Sequence, residues 1–67
     1  SDMDEATLNR LRAARAKTAR MVTTEPTNPA YAMHFRRAEA EVAEAEALMS
    51  ADLLTRARAL ASQSATF

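Results

Sequence analysis

The sequence predicts an all-α protein: an αα-hairpin with a long second helix, self-associating into a helical bundle. Three observations carry this expectation. The chain has no Gly, whereas β-hairpin turns and left-handed helix caps normally draw on Gly. Ala makes up roughly a quarter of the chain, far above ordinary usage, and is the strongest helix former. The third is residues 28–49, NPAYAMHFRRAEAEVAEAEALM, which run on after Pro29 without another helix breaker.

The elements follow in order. Ser1 and Asp2 read as a cleavage scar left by recombinant expression, with Met3 as the expected native start. Asp4 or Asp2 can cap the first helix, and Asp2 with Glu5 reads as a capping box. That helix is expected over residues 5–22, with acid at its start and Arg20 near its end to suit the helix dipole. Its apolar stripe is mediocre: Thr7, Leu11, Ala14, Thr18, Met21 and Val22, with Leu8 at the edge. Two threonines in the stripe predict a helix that does not stand alone. Residues 23–28, TTEPTN, form the one clear loop, short enough to join antiparallel neighbours.

The second helix begins at Pro29, where a missing N–H costs nothing, with Asn28 placed as its N-cap. Tyr31, Phe35, Ala38, Val42, Ala45 and Met49 recur at spacings of four and three, which puts them on one stripe. Two readings of its end stay open. Ser50 can cap a third helix, with Asp52 in its first turn, closing a three-helix bundle. Against a break, the stripe continues in phase through Leu53, Ala57 and Leu60, and nothing near Ser50 forces one. The phase argument favours one helix over residues 29–62, ~50 Å long. The first helix would cover about half of it, and residues 63–67 are expected to fray.

Sixty-seven residues make one small domain, and domains this size are marginal unless something supports them. There is no Cys and a single His, which rules out disulfides, Cys-based zinc sites and a multi-His metal site within one chain. Large apolar residues are few: six Leu, four Met, two Val, two Phe and one Tyr, with no Ile and no Trp. The expected remedy is a partner chain that covers the stripe. The expected protein interface is therefore Tyr31, Phe35, Ala38, Val42, Ala45, Met49, Leu53 and Leu60, with a homodimer favoured and another protein as a further partner.

Charge is segregated. The first helix carries Arg10, Arg12, Arg15, Lys17 and Arg20; the second carries Glu39, Glu41, Glu44 and Glu46. With Phe35, Val42 and Met49 at heptad a positions, Glu39, Glu46 and Glu41 flank the seam. With Leu11 and Thr18 at a, Arg10, Arg15 and Lys17 flank the other side. Complementary flanks favour antiparallel pairing, within a chain or between chains. The alternative is that these are merely solvated faces.

The functional expectation is a non-enzymatic protein–protein interaction or scaffolding module. The alternative is a small nucleic-acid-binding accessory protein using Arg10, Arg12, Lys17, Arg20, Arg36 and Arg37 against phosphates. Asn9 is the one residue on the first helix suited to base contact, and no helix-turn-helix is legible. No enzyme is expected. His34 has no partner set, and Ser50, Ser62 and Ser64 lack a nearby base or an oxyanion loop. No cofactor is expected. Net charge is zero and no apolar run approaches a membrane span. No signal peptide is legible, so a cytoplasmic location is expected. The excess of Arg over Lys, with abundant Ala, hints at a GC-rich bacterial or phage gene.

Overall fold

The computed structural model describes residues 3–63, and these form two α-helices joined by a four-residue turn. Helix α1 spans Glu5–Thr24 and helix α2 spans Pro29–Gln63. They pack as an antiparallel hairpin, and no strand occurs among the described residues. The expected scar and the Asp2–Glu5 capping box lie outside or depend on residues outside the described range. Of the tail expected to fray, only Gln63 is described, and it is helical.

Each helix start is set by a side chain that accepts an otherwise orphaned N–H. Asp4 is extended at φ −124°, ψ 172°, and its carboxylate accepts from the backbone N–H of Thr7 at 2.8 Å. Asn28 accepts from the N–H groups of Ala30 at 2.9 Å and Tyr31 at 3.2 Å. The end of α1 needs no left-handed residue, and none occurs among the described residues. Pro26 excludes the helical region for the residue before it. Glu25 accordingly leaves the helix at φ −133°, ψ 77°, while its N–H still donates to the Met21 carbonyl at 3.0 Å. The Asn28 N–H then donates to the Glu25 carbonyl at 3.1 Å and closes the turn. Thr23 and Thr24 donate their hydroxyls to the Arg20 carbonyl at 2.8 and 3.0 Å. These bonds accompany two more helical residues than the sequence predicts.

Helix α2 runs through Ser50 without a break. The three-helix alternative is thereby set aside: Ser50 lies between an in-phase stripe on either side, and no Pro or Gly is present to stop the ladder. At 1.5 Å per residue its 35 residues span about 53 Å. The molecule measures 60 × 17 × 17 Å, with a radius of gyration of 17.3 Å. A compact chain of this length would have about 11 Å. The protein is a rod two helices wide, so each helix has only one face to hide.

The core is correspondingly small. Among the described residues, Leu8, Ala38, Val42 and Ala45 are buried, and Val42 is fully so. Met3, Leu11 and Met49 pack against the cluster of Leu8, Val42 and Ala45. The α2 stripe read from sequence matches this face. The α1 stripe matches in part: Thr7, Leu11, Thr18, Met21 and Val22 are half-buried, but Leu8, placed at its edge, is the buried centre and Ala14, placed within it, is exposed. The buried face of α1 is turned about half a right angle or more from the sequence stripe, at about 100° per residue. Its centre now runs through Leu8, Arg15 and Val22, seven residues apart. Arg15, expected on the flank, is half-buried in the seam, where its aliphatic stem can lie along apolar surface. Thr18 fits because its hydroxyl donates to its own helix, to the carbonyls of Ala14 and Arg15, both at 3.0 Å.

Coverage of α2 also differs from the expected half. The antiparallel register brings Met3 beside Met49 and Asp52. Asp52 is the last half-buried residue of α2, and every described residue after it is exposed. Residues 53–63 project beyond α1 by about 16 Å.

Candidate interaction surface

The apolar stripe of α2 is used in two ways along its length. Tyr31, Phe35, Ala38, Val42, Ala45 and Met49 are buried or half-buried on the face that meets α1 of the same chain. Leu53 and Leu60 continue that stripe past the end of α1, where they are 61% and 63% exposed. Leu54, on the far side of the same projection, is 49% exposed. A side chain with the phase of a core residue and the exposure of a surface residue marks a seam that its own chain leaves uncovered.

Two shallow depressions flank this region. One, of about 370 Å³, lies where α1 begins and is lined by Met3, Met49, Asp52, Thr55 and Arg56. The other, of about 240 Å³, runs along one open side of the hairpin. Leu11, Ala45, Leu48, Glu41 and Glu44 join Met3 in its lining. Ala14, which the rotation of α1 takes out of the seam, is exposed.

The charged flanks meet less often than the pattern predicts. One ion pair joins the helices among the described residues, from Arg12 to Glu46 at 2.8 Å. Arg12 was expected to point away from the stripe toward phosphates, and it is instead partly buried against α2. The cause is the same rotation, which brings Arg12 to the seam's edge. With side chains 40% and 45% exposed, the pair contributes under about 1 kcal/mol. Glu41 pairs with Arg37 on its own helix at 3.4 Å. The other candidate phosphate contacts, Arg10, Lys17, Arg20, Arg36 and Arg37, are exposed. Arg20, Arg36 and Arg37 sit toward the turn end of the hairpin, while Arg10 and Lys17 lie along α1.

Asp4, the cap of α1, has a shifted carboxyl. The Thr7 backbone N–H holds its carboxyl below the ordinary aspartate range, with Arg10 adding a smaller effect in the same direction. His34 is exposed on α2. Among the described residues, no three His, Asp or Glu side chains converge as a metal site requires. No described helix is long and apolar enough to cross a membrane. Comparison with protein-family models, with curated proteins and with solved structures gave no match.

Proposed function

We propose that this protein is a non-enzymatic helical interaction module that self-associates and so presents or scaffolds another protein. The observation that carries the reading is the pair Leu53 and Leu60, in phase with a buried stripe yet more than half exposed. Two further facts support it. The buried core holds one fully buried large side chain, Val42, among the described residues. The molecule is a rod of 60 × 17 × 17 Å, so each helix buries a single face and leaves the rest open.

The test is mass action. Sedimentation and far-UV circular dichroism across a concentration series should show association, with a melting temperature that rises with concentration. The double substitution Leu53→Ser, Leu60→Ser should abolish association and leave the dilute hairpin folded. These positions serve better than Val42, whose replacement by Asp would unfold the hairpin itself by burying an unpaired charge. A parent protein that stays monomeric and melts at one temperature throughout would refute self-association.

A further inference from the structure

The open side of the hairpin and the projecting end of α2 can be satisfied together by one arrangement, and charge decides which. We infer that the partner is a second copy of this chain, docked with both turns at the same end, so that α1 of each copy lies over α2 of the other. The inference rests on the self-association proposed above and adds its face and orientation.

The docking face is the side of the hairpin where Leu11, Ala45 and Leu48 form an apolar floor. Two such floors can meet about a two-fold axis in only two ways that keep the helices aligned. With the axis across the rod, turns lie at opposite ends and like helices stack. Arg10 and Lys17 of α1 then approach the same residues of the other copy, and Glu41 and Glu44 approach their own counterparts. Like charges so placed are repulsive. With the axis along the rod, turns lie together and α1 runs antiparallel to the partner's α2. The register seen within the chain then repeats between chains. Arg10 falls opposite the partner's Glu44, and Lys17 falls near the partner's Glu41. Arg10, Lys17 and Glu44 form no hydrogen bond or ion pair within the described residues, and the effect of Arg10 on Asp4 is a minor one.

The same axis accounts for the projection. With turns at one end, both segments of residues 53–63 leave the bundle at the other end, side by side and parallel. Leu53 and Leu60 are seven residues apart on one stripe, the spacing that a parallel two-stranded seam uses. In the opposite orientation the two projections point away from each other, and both stripes stay wet. The four-helix contact plus this short seam covers the surface that one hairpin leaves open.

The chain has no Cys, so one introduced thiol reads the orientation. Leu60→Cys should form an intermolecular disulfide under mild oxidation, because turns-together docking sends both projections out of the same end of the bundle, where the two uncovered stripes can close on each other. Ala43→Cys, exposed on the side of α2 turned away from both α1 and the docking floor, should not. Charge reversal reads the pairing. Arg10→Glu with Lys17→Glu should weaken the homodimer tenfold or more, and so should Glu41→Lys with Glu44→Lys. An equimolar mixture of these two variants should recover dimer, because each then offers what the other lacks. A parent that dimerises without the Leu60→Cys cross-link, or without recovery in the mixture, overturns the orientation and leaves self-association standing. A parent that never dimerises overturns both.

Discussion

Replacing Val42 by Ala tests whether the hairpin is the unit that folds. Val42 has no exposed surface and packs with Leu8 and Ala45. The substitution removes two methyl groups from a dry site. At ~0.8 kcal/mol per buried carbon the transfer loss is about 1.6 kcal/mol, and incomplete collapse of the site raises it to about 2 kcal/mol. A 67-residue chain has roughly 3–10 kcal/mol of total stability. The loss is therefore a large share, and the melting temperature should fall by about 8–16 °C. The comparator is Leu60→Ala, which deletes more apolar surface at a position 63% exposed in the single chain. In dilute solution it should change stability by under about 0.5 kcal/mol. Both are read by thermal and urea denaturation at the lowest concentration that gives a signal. If Val42→Ala melted within a degree or two of the parent, Val42 would not be the keystone of an intrachain seam.

Three further outcomes follow from the ends and edges of the helices. Asn28→Ala removes the acceptor for the Ala30 and Tyr31 N–H groups and should cost about 1 kcal/mol in urea denaturation, with Asn28→Asp or Asn28→Ser retaining most of it. Asp4 has a depressed folded-state pKa, so its capping stabilisation is present above the ordinary aspartate pKa of about 3.9 and is lost as pH falls through and below it. Acid titration of stability should show this component in the parent and lose it in Asp4→Asn, whose amide oxygen still caps. A double-mutant cycle on Arg12→Ala and Glu46→Ala should give a coupling under about 1 kcal/mol that shrinks with added salt, as expected of a half-exposed pair.

Sequence alone placed both helix starts, because their signals are local, but ended α1 two residues early and left a break at Ser50 open. Asn28 and Pro29 need only their own neighbours to start α2. Pro26 needs only Glu25 to end α1, and the absence of Gly leaves α2 without a stop. The face of α2 was equally legible, since Tyr31, Phe35, Val42 and Met49 stand out in bulk from the Glu and Arg between them. Helix α1 offers no such contrast. Thr7, Ala14, Thr18 and Ala19 differ little in apolar area, so several rotations of the helix look alike until a neighbour selects one. Packing against Val42 and Ala45 selected Leu8 and drew Arg15 and Arg12 to the seam. That rotation in turn fixed which side of the hairpin stays apolar and which arginines remain exposed. The register between the helices, and hence the point near Asp52 where cover ends, was likewise a tertiary outcome. It depends on how two surfaces fit across the gap between them, which no local pattern encodes.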